Sequence, residues 1–425
     1  MESAAQSRFR RALALTCLII AGEAVFSLPF HLARFFRPTV LAVLGLTNTE
    51  LGEAQAVYGV LAMLAYFPGG PLADRFSAHK LLAVALWMTG LGGFYFASFP
   101  GYRGMAWLFG YWGITTILLF WAALIRATRD WGGEEKQGRA YGILDGGRGL
   151  FAAVLASAAA LLFQLVFPAD ELSVTPEQRA SALRSVIYVY TSVTLIAGAL
   201  AWLFAPRSVA PLSGPKRAPG ASLGRIREVV RLPQVWLQAL IVVAAYVAYK
   251  GFDSYSVYAH DVYGMGEVEV SHFTSSMQWV RPLAAIGAGF LADRVRGLNV
   301  ILGCFVMLLG ADLYFALAVP GARWLLYVNV LMTCTAMFAL RGVYFAVFDE
   351  AQVPWRATGT AVGVVSVIGY TPDIFVGWVA GVLLDGAPGL TGHQHFFWFL
   401  AAFSLLGLLA TLGFKRIVSA RTAPS

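Results

Sequence analysis

The sequence predicts an all-α membrane protein, with twelve transmembrane helices arranged as two pseudo-symmetric six-helix bundles. Three observations lead to this prediction: the composition, the spacing of the apolar runs and an internal repeat. Hydrophobic residues make up 58% of the 425 residues and charged residues 13%, whereas soluble domains are about 45–50% apolar and about 25% charged. This composition excludes a disordered chain, a secreted disulfide scaffold and an ordinary cytosolic enzyme.

The apolar residues fall in runs that are long enough to cross a bilayer. A transmembrane helix needs about 20 mostly apolar residues, because the hydrocarbon core is about 30 Å thick. We expect helices rather than barrel strands, since strands would show segments of about ten residues with alternating polarity. The twelve predicted spans cover roughly 12–36, 51–72, 80–99, 104–125, 141–167, 185–205, 234–258, 269–291, 298–319, 322–347, 357–385 and 395–414.

The basic residues between these runs predict the orientation of the chain. Placing the N-terminus inside puts twenty-one Lys and Arg residues in inner segments and five in outer segments. Because positive charge stays on the cytoplasmic side, both termini are predicted to be cytoplasmic, in a bacterial inner membrane. The formal charge of +8 therefore reports topology, and we expect no nucleic-acid partner.

A polar linker and a repeat divide the chain into two halves. We predict an N-terminal six-helix bundle at 1–205, a cytoplasmic linker at 206–233 and a C-terminal six-helix bundle at 234–425. The sequence Gly-Pro-Leu-Ala-Asp74-Arg75 recurs as Gly-Phe-Leu-Ala-Asp293-Arg294, 219 residues later. Two matches at nearly one offset indicate a parallel duplication, since Arg139-Ala-Tyr-Gly and Arg356-Ala-Thr-Gly are 217 residues apart.

The stretch from Gly70 to Lys80 resembles the loop 2–3 signature of the major facilitator superfamily, and Gly289–Arg294 resembles its second-half copy. The resemblance covers all twelve spans and implies secondary transport by alternating access about a site in a central cavity. A charged pair at a helix end can hold neighbouring helices together in one conformation only. The predicted gating residues are Asp74, Arg75, Asp293, Arg294, Arg139 and Arg356; a loop that only fixes topology is the alternative.

Two cations follow the repeat and suggest an anionic substrate. Arg34 and Lys250 occupy corresponding places in the first and seventh spans, 216 residues apart. Their side chains suit phosphate, sulfonate or carboxylate oxygens, although both could instead reach the outer headgroups. The predicted substrate-binding residues are Arg34, Lys250, Arg148, Tyr249 and Tyr246.

A narrower resemblance points the same way. Phe30-His-Leu-Ala-Arg34 is similar to the first-helix region of organophosphate:phosphate antiporters such as the glycerol-3-phosphate antiporter, whose helices one and seven each supply an Arg. Arg34 falls on the first of these positions, while Lys250 replaces the second and the family's helix-five histidine is absent. The resemblance implies a phosphorylated substrate, and a related organic anion fits these departures.

Acidic residues within the spans are candidates for proton coupling. Ionisable residues are costly in a bilayer and are functional candidates by default, and burial of a carboxylate favours its neutral form. The predicted proton-coupling residues are Glu23, Asp253 and Asp373. A lasting hydrogen bond is the alternative for Glu23.

The remaining charges in the spans are predicted to form buried pairs. These residues are Arg341, with Asp373 as a candidate partner, Arg281, with Asp253 or the substrate, and Asp145, with Arg148 three residues away. Asp312 is expected to face the periphery of its bundle and to pair locally.

Motifs for other chemistries are missing from the sequence. No Lys is followed by Ser or Thr, which excludes a phosphate loop for ATP. We predict no enzyme activity, cofactor or metal. The expected partners are a small-molecule anion, protons or a counter-anion, and the lipid bilayer around a monomer. Proton-driven multidrug efflux and a non-transporting membrane sensor remain as alternative functions.

Overall fold

The chain is predominantly helical in the ranges that the computed structural model describes: residues 4–132, 137–168, 173–207, 227–344 and 358–422. These ranges contain no β-strand, which confirms the predicted all-α class. Ten helices within them are long and apolar enough to cross a membrane. Arg356 and most of the predicted linker lie outside the described residues, as does the side chain of Arg139.

The long helices of the described residues are grouped into twelve segments, called spans 1 to 12 below, some of which contain more than one helix. They are span 1, Ala4–Phe26, Leu32–Phe35 and Arg37–Leu44; span 2, Asn48–Arg75; span 3, Ala78–Phe96; span 4, Tyr102–Thr116 and Ala122–Gly132; span 5, Gln137–Val166; span 6, Pro176–Phe204; span 7, Pro233–Gly251 and Tyr255–Tyr263; span 8, Glu267–Ser276 and Val280–Val295; span 9, Gly297–Leu317; span 10, Arg323–Val343; span 11, Thr358–Gly369 and Pro372–Gly386; and span 12, Leu390–Thr422.

Several spans begin or end beyond the apolar runs that predicted them, and capping boxes fix two of the starts. Span 6 begins at Pro176 rather than near 185, where Thr175 and Gln178 form a capping box. Such a box satisfies two backbone N–H groups that would otherwise lack partners. Thr47 and Glu50 form a second capping box at the start of span 2. Span 4 continues to Gly132, seven residues past its predicted end at 125.

Two spans contain a turn of π-helix. In span 1 the π turn Ser27–His31 includes Pro29, which has no backbone N–H to donate within a helix. In span 4 the π turn is Ile117–Trp121. Such turns insert one residue and re-aim the side chains that follow, and they occur frequently at functional sites. The turn in span 1 lies between two predicted site residues, Glu23 and Arg34.

The chain divides into two compact units. Unit 1 comprises Met1–Ser213 and Asp253–Trp279. Within it, span 2 packs against span 4, and span 3 against span 6. Trp112 of span 4 is fully buried, and its Nε1 donates to the carbonyl of Thr89 at 3.0 Å.

Unit 2 comprises Gly214–Phe252 and Val280–Ser425. Within it, span 12 packs against spans 7 and 9, and span 8 against span 10. Small residues permit this close packing: a Cβ added at Gly407 would clash with the ring of Phe305. Two of the divisions along the chain fall at turns of 3-10 helix, Phe252–Ser254 and Met277–Trp279.

Substitution of Gly113 by alanine is expected to destabilise unit 1. The added Cβ would lie 2.6 Å from the carbonyl oxygen of Tyr58, so spans 2 and 4 would have to separate. Overpacking of this kind costs about 1–3 kcal/mol. Thermal unfolding of the purified protein in detergent should show a lower melting temperature than wild type. Gly146→Ala is the matched control, because nothing lies within 4 Å of its added Cβ; equal melting temperatures for the two variants would contradict the close packing.

Candidate functional site

A buried carboxylate lies between a histidine and an arginine in unit 1. Glu23 is 3% exposed. Its Oε1 is 3.5 Å from Nε2 of His31, and its Oε2 is 3.4 Å from Nε of Arg148. The π turn ends at His31, on the same span as Glu23. Glu23 therefore has one neighbour, His31, that can accept or donate a proton, and another, Arg148, whose positive charge balances the ionised carboxylate.

Arg148 of span 5 is held in place by several groups. Its Nε donates to the carbonyl of Gly22 at 3.0 Å, and its Nη1 is 3.5 Å from Oδ1 of Asp145. The predicted contact three residues apart is present, but the Asp145 side chain is 47% exposed and not buried as predicted. The guanidinium also lies 5.9 Å from the ring of Phe26 and 5.8 Å from that of Trp121. Aromatic faces attract cations in such positions. Phe26 directly precedes the π turn of span 1 and Trp121 ends that of span 4, so both π turns help to fix Arg148 beside Glu23.

A second buried ion pair in unit 1 joins Arg34 to Asp253. Nε of Arg34 donates to Oδ1 of Asp253 at 2.5 Å, and the two residues are 2% and 4% exposed. Arg34 belongs to span 1 and Asp253 to the 3-10 turn Phe252–Ser254. Charge-assisted hydrogen bonds of this kind are short and strong.

The corresponding cluster in unit 2 contains two cations, one carboxylate and two tyrosines. Nζ of Lys250 is 3.5 Å from Oδ1 of Asp373, and the hydroxyl of Tyr246 donates to Oδ2 of Asp373 at 3.0 Å. The guanidinium of Arg341 lies 4.1 Å from the ring centre of Tyr249 and 5.7 Å from that of Tyr246. Asp373 contacts Lys250 and Tyr246, and its predicted pairing with Arg341 stays a prediction.

The three clusters share one pattern. Each predicted substrate cation lies beside one of the predicted proton-coupling acids: Arg148 beside Glu23, Arg34 beside Asp253, and Lys250 beside Asp373. In a low-dielectric interior an ion pair is favourable only when its geometry and hydrogen bonds are good. An anion that binds to one of these cations must therefore compete with the carboxylate already there.

A family model decides what kind of protein carries these clusters. The model of the Major Facilitator Superfamily matches residues 13–376, which is most of the chain. The chain belongs to the major facilitator superfamily. It is therefore an integral membrane transporter.

Curated relatives extend over almost the whole chain. The inner membrane protein YqcE of Escherichia coli (strain K12) is 27% identical over 98% of each chain. The inner membrane protein YihN of the same strain is 25% identical over 95% of each chain.

Solved structures share the fold of this superfamily member. The nucleoside transporter NupG, crystallised as a point mutant, superposes with a TM-score of 0.74 at 14% identity, covering 95% of this chain and 99% of its own. A bacterial homologue of the human lysosomal transporter Spinster, in an inward-facing and occupied conformation, superposes with a TM-score of 0.72 at 14% identity, covering 99% and 98%. These likenesses show the major facilitator fold and leave the substrate open.

The predicted gating residues that the structure describes lie at helix ends, as the superfamily signature implies. Asp74 and Arg75 end span 2, and Asp293 and Arg294 lie in the last turn of span 8. All four side chains are exposed. Their position suits a gate, and that role stays a prediction.

The structure also assigns contacts to residues that the sequence analysis treated differently. Arg126, counted among the inner-loop charges, is buried and donates through Nη1 to the carbonyl of Ala73, next to Asp74. Asp312, expected at the periphery, is 1% exposed and accepts a hydrogen bond from the hydroxyl of Ser404 at 2.7 Å. Arg281 is buried at the start of the second helix of span 8. His31 was not among the predicted site residues, because a lone histidine in an apolar run is a weak signal for a functional group.

Proposed function

We propose that the chain is a secondary active transporter that moves a small organic anion together with a proton. The anion is a phosphorylated, sulfonated or carboxylated metabolite, bound by Arg34, Lys250 and Arg148 with Tyr246 and Tyr249. The protein works as a monomer by alternating access, with both termini cytoplasmic. The observation that carries the proposal is the one-to-one pairing of these cations with Glu23, Asp253 and Asp373.

The pairing supports proton coupling for a simple electrostatic reason. When a substrate anion takes the place of the carboxylate at one of these cations, such as Glu23 at Arg148, the displaced carboxylate would remain buried and charged. A buried charge without its partner costs several kcal/mol, on the order of 3–5, and a proton removes that cost. Anion and proton then bind together, and for a singly charged anion the net charge of the site is unchanged. Release of the proton restores the internal ion pair and expels the anion.

The tyrosines and Arg341 add selectivity in unit 2. Tyr246 donates to Asp373, so the same hydroxyl can donate to an oxygen of an anion that replaces this carboxylate. Arg341 is stacked on Tyr249, the residue next to Lys250 in sequence, and the stacking fixes a planar fork of donors. A guanidinium fork matches the oxygens of phosphate, sulfonate and carboxylate. The similarity of the Arg34 region to organophosphate:phosphate antiporters supports this substrate class, and proton coupling is preferred here to anion exchange.

The test is a thermal-shift screen of the purified protein against phosphorylated, sulfonated and carboxylated metabolites. We expect one anion class to raise the melting temperature, since a ligand at 100 times its Kd stabilises the native state by about 2.7 kcal/mol. The stabilisation should disappear in the double variant Arg34→Gln/Asp253→Asn, which removes the ion pair without leaving one charge alone.

The matched control removes another ion pair of unit 1, in which Nε of Arg179 donates to Oε1 of Glu267 at 2.6 Å. The double variant Arg179→Gln/Glu267→Gln should keep the full ligand-induced shift. Equal shifts in both double variants would exclude Arg34 from the binding site. If lipophilic cations alone stabilise the wild type, the proposal of anion transport falls and drug efflux becomes the supported function.

A further inference from the structure

A cavity of about 300 Å³ lies in unit 2, where span 9 begins and span 12 ends. It contains none of the predicted substrate-binding or proton-coupling residues. Its lining consists of cationic, polar and aliphatic side chains: Arg294, Val295, Arg296, Leu298, Asn299, Lys415, Val418 and Ser419. All three charged lining residues are cations, and Arg294 is also one of the predicted gating residues.

The cations are arranged around the first turn of span 9. Nζ of Lys415 donates to Oδ1 of Asn299 at 2.8 Å, and Nδ2 of Asn299 donates to the carbonyl of Val295 at 2.7 Å. Arg296 precedes this 21-residue helix with φ at 72°, a backbone conformation that glycine adopts more easily. The helix N-terminus adds a partial positive charge and backbone N–H groups. The lining thus combines three cations with the start of a helix, and both features suit an anion.

Apolar surface leads to the cavity along both neighbouring helices. On span 8, Phe290, Leu291 and Val295 are 69%, 49% and 42% exposed. The first two precede the charged pair Asp293–Arg294, and Val295 directly follows it. On span 12, Leu409 and Leu412 are 56% and 40% exposed, just before the lysine of the cavity. Exposed apolar side chains on membrane-spanning helices face lipid tails. The three cations thus lie at the end of the exposed apolar surface of spans 8 and 12.

We propose that this cavity binds the phosphate headgroup of an anionic phospholipid of the inner leaflet. The three cations and the start of span 9 hold the phosphate, and the acyl chains lie along the exposed faces of spans 8 and 12. Basic pockets between transmembrane helices on the cytoplasmic side bind anionic headgroups by the same chemistry. Free phosphate carries the same negative charge but has no acyl chains to contact the apolar faces of spans 8 and 12. The apolar faces therefore favour a phospholipid over free phosphate. The inference does not depend on which substrate is carried.

The experiment titrates the detergent-purified protein with phosphatidylglycerol and counts bound lipids by native mass spectrometry. Phosphatidylcholine and inorganic phosphate are titrated in parallel. The double variant Arg296→Gln/Lys415→Gln is expected to bind phosphatidylglycerol about 30-fold more weakly, from about 1 kcal/mol for each cation. The charge-preserving variant Arg296→Lys/Lys415→Arg should retain most of the affinity. This result would show that the glutamine variant binds weakly because it lacks the two charges and not because it is misfolded.

The matched control removes two cations that do not line the cavity, Arg231 and Arg416, both exposed. Arg231→Gln/Arg416→Gln should bind phosphatidylglycerol as the wild type does. Equal affinity in all four proteins would overturn the proposal. Loss of inorganic phosphate from the cavity variant, with phosphatidylglycerol binding unchanged, would assign the cavity to free phosphate and also overturn it.

Discussion

Replacement of Lys250 by methionine is expected to abolish anion binding and uptake. In unit 2, Lys250 is 5% exposed and lies 3.5 Å from Asp373, so a substrate anion at this position would meet a desolvated ammonium group. Truncating one partner of a buried charged contact costs about 2–5 kcal/mol, which corresponds to at least about 30-fold in Kd. The measurement is substrate binding to the purified protein, followed by uptake into liposomes.

A double-variant cycle separates the loss of binding from a loss of stability. Lys250→Met leaves the partly buried carboxylate of Asp373, whose side chain is 16% exposed, without its ammonium partner, which lowers the stability by up to about 3–5 kcal/mol. The double variant Lys250→Met/Asp373→Asn removes both charges and should recover the melting temperature but not the binding. Asp373→Asn alone removes the internal competitor, so it should bind the anion more tightly than wild type.

The cycle also has an outcome that contradicts the proposal. If the double variant recovers both stability and binding, the ion pair is structural only and Lys250 does not contact the substrate. Asp312→Asn serves as the control for removing a buried acid of unit 2. Asp312 accepts from Ser404, and its loss should leave anion affinity unchanged.

The fold followed from sequence because its main determinants are local. Twelve apolar runs and a repeated Asp-Arg pair suffice to predict the helices, since each run must satisfy its own backbone within the bilayer. The ends of the helices were harder to predict. The capping box at Thr175 starts span 6 about nine residues early, and the extension of span 4 to Gly132 turns Arg126 from a loop charge into a buried one.

The members of the candidate site could be predicted, but most of their contacts could not. Charged residues in apolar runs are visible by their rarity, and the Asp145–Arg148 contact follows from helix geometry. Arg34 and Asp253 are 219 residues apart in sequence, so their pairing depends on how helices pack. His31 shows a further limit: an ideal helix separates residues 23 and 31 by about 12 Å along its axis, and no sequence signal located the π turn between them.

Replacement of Glu23 by glutamine is expected to uncouple transport from the proton gradient while leaving anion exchange intact. Glutamine has nearly the shape of glutamate but cannot release a proton, and Arg148 keeps its contacts with Asp145 and Gly22. One coupled proton contributes about 1.4 kcal/mol per pH unit, a factor of ten in the accumulation ratio. Proteoliposomes with acidic exteriors should therefore accumulate about tenfold less anion per pH unit than wild type. Counterflow of labelled against unlabelled anion should persist.

Two matched variants identify which group carries the proton. Asp145→Asn removes the other acid beside Arg148. The side chain of Asp145 is 47% exposed, so water already screens its charge, and the variant should accumulate anion normally. His31→Gln removes the imidazole 3.5 Å from Glu23. If His31→Gln uncouples transport while Glu23→Gln does not, the histidine carries the proton and Glu23 only orients it. If neither variant changes the response to the gradient, the proton binds elsewhere. Asp253 and Asp373 are then the candidate acids, because each is paired with a cation at which a substrate anion can replace the carboxylate.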